Sequence, residues 1–428
     1  MPELKDLPTP DLREFHERCV NDFAAFRTRA MKIDMTRGKP STAQLDLSNA
    51  LLRLPENVDY HLADGSDARN YGGPVQGLPE ARELFTGLLG APAYQIIVAN
   101  NSSLALMHDC IAYALLRGVP GGSAPWRDWE KTSFLCPVPG YDRHFAICEE
   151  YGIDMIPVEM TGSGPDMDEV ERLVVSREVK GMWCVPKYSN PSGDIYDDET
   201  VRRLAAMKAG AADFRLFWDN AYALHNLSDA RADILNILEV CEQAGAPDRA
   251  FVFGSTSKIT FGGGGLGLFA SSMANVAWLA GAMKKRSIGP DKLNQLRHVR
   301  YLKDAAGLDR LMESHRDIIA PKFRAVDGVF NTHLEGTGAA TWTRPEGGYF
   351  ISVNVMDGCA RRVVELANQA GVALVPAGAT FPYGKDPRDR NLRVAPTYPA
   401  LADLAPASEG IALSILLAVT EKLLSERN

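Results

Sequence analysis

Phe251-Val252-Phe253-Gly254-Ser255-Thr256-Ser257-Lys258, followed shortly by Gly262-Gly263-Gly264-Gly265-Leu266-Gly267, is the stretch from which the fold is read. Its apolar half has the composition of a buried strand, and it ends in hydroxyls and a lysine. A lysine delivered by an apolar strand meets a low dielectric, which disfavours its charged form and leaves the amine nucleophilic near neutral pH. An imine-forming amine needs that state, and the small neighbours leave room for a flat, phosphorylated cofactor. Strand-end lysines also commonly reach solvent, so by itself the stretch leaves both readings open.

Two upstream segments narrow the choice. Leu216-Phe217-Trp218-Asp219-Asn220-Ala221-Tyr222 is an apolar strand ending in an acid, with an aromatic three residues later. Gly181-Met182-Trp183-Cys184-Val185-Pro186 leads into Lys187-Tyr188-Ser189-Asn190-Pro191-Ser192-Gly193. Between about 50 and 295, helical patterns alternate with short apolar runs at 94–99, 132–138, 154–158, 181–185, 216–219, 250–254 and 266–271. That alternation predicts an α/β fold with a mostly parallel sheet and helices on both faces. Ligands of such sheets collect at the C-terminal strand edge, where Asn190, Asp219, Tyr222, Ser255 and Lys258 all fall.

The flanks differ in texture. Residues 9–31 carry helical spacing after Thr9-Pro10, and an irregular Arg37-Gly38-Lys39-Pro40-Ser41 follows. Leu296–Val326 reads as one long charged helix linking domains. Strand candidates at 341–343, 349–355 and 373–375 and closing helices from about 403 to 426 predict a smaller α+β domain. The expected division is 1–49, an N-terminal helix and substrate-side segment packing with the small domain; 50–295, the large domain; and 296–428, the small domain.

With 428 residues, 46% apolar and 23% charged, the chain can bury a large core. A net charge of −8 and the lack of any basic stripe argue against nucleic-acid or acidic-membrane partners. The seven cysteines are scattered and form no C-x-x-C pair, which suggests a reducing compartment without disulfides or structural zinc. The N-terminus has no signal-peptide pattern, and the longest late apolar run, 411–419, is short of the roughly 20 residues that span a bilayer. A soluble, cytoplasmic protein is expected. Gly262, Gly264 and Gly267 fit G-x-G-x-x-G, but a strand rather than a helix follows and no acid stands about 20 residues on, so a dinucleotide site is not indicated.

Taken together, these segments resemble the fold-type-I, pyridoxal-phosphate-dependent aminotransferases over nearly the whole chain. The pattern is closest to the Ic subgroup of aspartate aminotransferases, which carry similar Arg-Gly-Lys-Pro, Asn-Ser-Ser, Pro-Gly-Tyr-Asp-Arg and Ser-Thr-Ser-Lys-Ile-Thr segments. The resemblance implies pyridoxal 5'-phosphate as cofactor and Lys258 as the residue that holds its aldehyde as an imine. Asp219, ending a buried strand, suits the carboxylate that keeps the pyridine nitrogen protonated, although it could instead cap a helix. Asn190 and Tyr222 could donate to the pyridine oxygen, and Asn190-Pro191-Ser192-Gly193 also reads as a plain turn. Ser102 and Ser103, entering a helix, are phosphate donors together with Ser255 and Ser257, or simply form its cap.

Other roles follow from the resemblance alone. Tyr71 matches the tyrosine that reaches a neighbouring subunit's phosphate, which implies a homodimer with shared active sites. Tyr141 matches the aromatic stacked on the ring. Arg393, in Asn391-Leu392-Arg393-Val394, matches the α-carboxylate arginine, and Gly38 the glycine whose backbone approaches the substrate. The chain departs from many class I members in having Leu266 where a phosphate-binding arginine is common; the hydroxyls of Thr260 and Ser257 are expected to compensate. For a distal substrate carboxylate the leading residue is Arg143, with Arg37 and Lys39 behind it. The expected activity is aspartate:2-oxoglutarate transamination. Alternatives are transamination of alanine, aromatic amino acids or kynurenine, β-elimination, and a non-catalytic module sensing pyridoxal phosphate.

Overall fold

A computed structural model describes residues 2–56 and 59–427. Among them are twelve strands: β1 (Ile33–Asp34), β2 (Ile96–Val98), β3 (Ser133–Val138), β4 (Asp154–Glu159), β5 (Val179–Cys184), β6 (Arg215–Asp219), β7 (Ala250–Ser255), β8 (Gly267–Ala270), β9 (Ala340–Trp342), β10 (Ile351–Val355), β11 (Val372–Ala373) and β12 (Asn391–Val394). Strands β2–β8 form the main sheet, in the order β2-β8-β7-β6-β5-β3-β4. Only β8 runs against its neighbours β2 and β7. Strands β3, β5, β6 and β7 are buried at every position, as a sheet covered on both faces requires. The expected α/β class and mostly parallel sheet are what the chain adopts.

One apolar cluster packs on each face of this sheet. Leu135, Met182, Leu216, Val252 and Leu268 point to one side, and Phe134, Trp183, Phe217, Phe251 and Phe269 to the other. Adjacent positions change face because side chains alternate along a strand. A third cluster joins the N-terminal helix α1 (Thr9–Arg27) to residues 323–423, including the antiparallel sheet β12-β10-β9 and the β1-β11 pair. Strand β1 was not evident in the sequence. Two residues paired with a partner over 300 positions away leave no periodic signal.

The remaining helices that bear on the site are α2 (Ser103–Arg117), α3 (Asp142–Glu150), α4 (Lys292–Leu302), α5 (Ala305–Leu334) and α6 (Leu401–Ser425). The single helix expected over 296–326 is in fact two. Lys303 has φ +67°, and Asp304 caps the second helix by accepting from the Gly307 amide at 2.7 Å. Leu296, Leu302, Leu308 and Met312 pack in the core of the large sheet, so a boundary at 295 falls inside α4 rather than at a linker. Helix α6 is long and apolar enough to cross a membrane, but most of it is buried in the third cluster. All seven cysteines are buried and free.

Candidate active site

The C-terminal ends of β5, β6 and β7 open on a cavity of about 200 Å³, lined by Ser102, Ser103, Tyr141, Asn190, Asp219, Tyr222, Ser257 and Lys258 among others. These residues lie up to 156 positions apart in sequence (258 − 102), and parallel strand ends bring them together.

Asp219 closes β6 and is 4% exposed. Its Oδ2 accepts from His144 Nε2 at 3.1 Å, whereas its Oδ1 is buried with no hydrogen-bond partner. An orphaned carboxylate oxygen is costly unless a donor meets it. A ring N–H from a ligand in the cavity would supply one. His144 is itself buried, stacked on Trp183 at 4.3 Å and 8°, with Tyr141 edge-on at 4.9 Å. It was missed in the sequence, although it stands three residues after Tyr141 and begins the buried face of α3, with Phe145, Ile147 and Cys148.

Lys258 follows the buried β7 by three residues and extends its side chain into the cavity. Burial lowers its pKa from the ordinary lysine value, partly opposed by the negative charge of Asp219. Its Nζ lies 5.0 Å from the Tyr222 ring centre. Burial first, then Tyr141 and Asp219, holds the Tyr222 phenol well above its usual range, so the hydroxyl stays a donor. The Tyr141 phenol is likewise pushed up to about 12 by burial, Asp219 and Asp142. The Lys258 carbonyl is fixed from behind by His225 Nε2 at 3.3 Å and the Tyr349 hydroxyl at 3.4 Å.

The serines divide. Ser102 is the N-cap of α2, accepting from the Ala105 amide at 3.1 Å, and Ser103 opens the helix. Both face the cavity with Ser257, giving hydroxyls beside a helix N-terminus, the usual setting for an anion. Ser255 is buried behind them, bonded to Ser257, and does not line the cavity. Thr260, expected to compensate for the absent arginine, instead turns inward to His298 Nε2 at 2.9 Å. Leu266 is fully buried, its amide donating to Thr256 Oγ1 at 2.8 Å. The glycine run serves packing as much as ligand space. A Cβ on Gly267 would come within 2.7 Å of the Ser102 carbonyl, and one on Gly265 within 2.9 Å of the Ser257 amide.

Arg393 on β12 is 5% exposed. Its Nη1 donates to Asp142 Oδ1 at 2.8 Å and to Asn190 Oδ1 at 3.3 Å, and its guanidinium lies 4.9 Å from the Phe350 ring centre. Gly38 packs against the tip of that ring, where a Cβ would sit 2.3 Å from Phe350 Cζ. Gly38 therefore reaches the site through Phe350. Arg37 and Arg143 are exposed and outside the cavity lining, and Lys39 lies over the Tyr398 ring at 3.7 Å. Tyr71 is 83% exposed and meets none of the other site residues within the chain.

The residues fit pyridoxal phosphate: an amine of lowered pKa, a buried acid with one oxygen to spare, aromatic walls, and hydroxyls at a helix start. Comparison with known proteins finds aminotransferases. The family model described as aspartate amino-transferase matches residues 7–427. A putative aminotransferase of Mycolicibacterium smegmatis is 49% identical, over 99% of this chain and 100% of its own length. The aspartate aminotransferase of Corynebacterium glutamicum is 44% identical over 98% of this chain and 96% of its own. The crystal structure of an aspartate transaminase from that organism superposes with a TM-score of 0.96 at 44% identity, covering 98% of this chain and 99% of that one.

Proposed function

The chain belongs to the aspartate aminotransferase family and is a transaminase of fold type I, and from that premise we propose that it transfers the amino group of aspartate to 2-oxoglutarate with pyridoxal 5'-phosphate bound in the cavity of Lys258. The observation that carries the reading is Asp219, which has a buried, unpartnered Oδ1 and lines the same cavity as a half-buried lysine of lowered pKa.

The cofactor supplies an electron sink for the bond broken at the substrate's Cα. The chain's residues do the rest. Lys258 would hold the cofactor aldehyde, and its free amine would take the proton of the substrate's Cα on Nζ. Asp219 would hold the ring nitrogen's proton at Oδ1, and His144 fixes the other oxygen so that the carboxylate is set beforehand. Asn190 and Tyr222 are assigned to the ring oxygen, Tyr141 to the ring face, and Ser102, Ser103 and Ser257 to the phosphate; Ser255 orients Ser257. Arg393 is assigned to the α-carboxylate, because a buried guanidinium binds a carboxylate strongly and directionally. Arg143 is assigned to the distal carboxylate, with Arg37 behind it. Tyr71 is assigned to a second subunit's site in a homodimer, which gives a purpose to so exposed an aromatic. Seven buried free thiols support a cytoplasmic setting.

The test is a panel of amino donors with 2-oxoglutarate as acceptor, monitored by cofactor absorbance. Aspartate should have the highest kcat/KM, and Lys258→Ala should abolish both turnover and the lysine-bound absorbance. Arg143→Ala should raise the aspartate KM by about tenfold or more and spare alanine, as loss of a charge-assisted contact predicts. A faster aromatic or alanine donor would move the substrate assignment, and turnover by Lys258→Ala would end the catalytic one.

A further inference from the structure

Arg393 already holds a carboxylate, and it belongs to the protein. Asp142 is the first residue of α3, beside the main sheet, whereas Arg393 is on β12 of the smaller sheet. Their 2.8 Å ion pair therefore ties α3 beside the main sheet to β12 of the smaller one. The partners differ in burial: the Arg393 side chain is 6% exposed and that of Asp142 34%. Phe350 covers the guanidinium face, Nη1 is shared by Asp142 and Asn190, and Nε is buried without a partner.

We propose that Asp142 is an internal competitor for the substrate's α-carboxylate, bound to Arg393 in the resting chain and displaced when an amino or oxo acid enters. The proposal rests on the reading of Arg393 as the α-carboxylate anchor. A nearly buried guanidinium is expensive to leave unpaired, so a carboxylate must be present when substrate is not. Asp142 suits a temporary partner because a third of its side chain is open to water. As the first residue of α3 it also lies where backbone N–H groups favour negative charge after release. The exchange replaces one carboxylate by another, keeps the pocket's charge balanced, and unfastens β12 from α3 as the ligand arrives.

The test measures binding of maleate, a dicarboxylate with no transferable amine, to the cofactor-loaded enzyme by calorimetry. Asp142→Asn keeps the side-chain shape and removes the competing charge. It should tighten maleate about threefold to tenfold, the size expected for a partly exposed ion pair, and lower KM for aspartate and alanine alike. Glu149→Gln, an exposed neutralisation two turns further along α3, should change neither. Unchanged or weaker maleate binding by Asp142→Asn, or equal tightening by Glu149→Gln, overturns the competitor role. Arg393→Gln separates the premise: it should lose most maleate affinity. If it binds as the parent does, the anchor reading fails and the competitor with it. If it loses binding while Asp142→Asn gains none, only the competitor fails.

Discussion

Asp219 shows how much of the proposed chemistry rests on one side chain. Two acceptor oxygens share a buried carboxylate, one committed to His144 and the other without a partner in the chain. Asp219→Asn keeps the volume but removes the charge that would hold a ring proton. A preorganised electrostatic contact of this kind is worth roughly 10²- to 10³-fold in kcat. A drop of that size should appear in steady-state assays at saturating cofactor, and undiminished turnover would remove Asp219 from the role. The pairing of Arg393 with Asp142 belongs to the same scale. There the structure adds a competitor that no inspection of either residue alone would suggest.

Helix α2 shows an element doing two jobs. Its N-cap, Ser102, satisfies the Ala105 amide, and its first turn also presents hydroxyls to the cavity. Ser102→Ala should cost the cofactor-free protein about 1 kcal/mol, the usual worth of a serine cap. If Ser102 also touches the phosphate, the loaded enzyme should lose more, so that the melting-temperature gap between loaded and cofactor-free forms shrinks. Equal losses in both forms would leave Ser102 a cap only. The turn after β7 is likewise built by packing. Thr256 and Thr260 meet His298 of α4, and Asn294 of the same helix donates to the carbonyls of Gly264 and Gly265.

Across the whole molecule, buried histidines link fold stability to pH. Burial pushes His225 down to about 3 and His298 to about 4, below the 6.5 of a free histidine. Their folded-state pKa values are depressed, so the unfolded chain binds more protons below pH 6.5. The stability they contribute is full above that pH and is lost as pH falls toward 4 and then 3. Each group contributes up to about 1.4 kcal/mol per pH unit in that window. Denaturant midpoints should therefore fall steadily from pH 7 to pH 5, and His298→Asn should flatten the slope. A midpoint independent of pH over that range would show that these rings do not govern acid stability.

The sequence alone determined the parallel sheet and its strand-end residues, because an apolar strand closed by Asp219 or leading to Lys258 declares both its burial and its chemistry within a few positions. The roles proposed for Arg393 at the α-carboxylate and for Tyr71 between subunits came only through family likeness. Tertiary structure alone decided the partners: His144 on Asp219, Asp142 on Arg393, Phe350 between Arg393 and Gly38, Thr260 turned to His298, and the helix break at Lys303. Local pattern reports which way a side chain faces. What it meets there depends on segments tens to hundreds of residues away, and only packing brings those into contact.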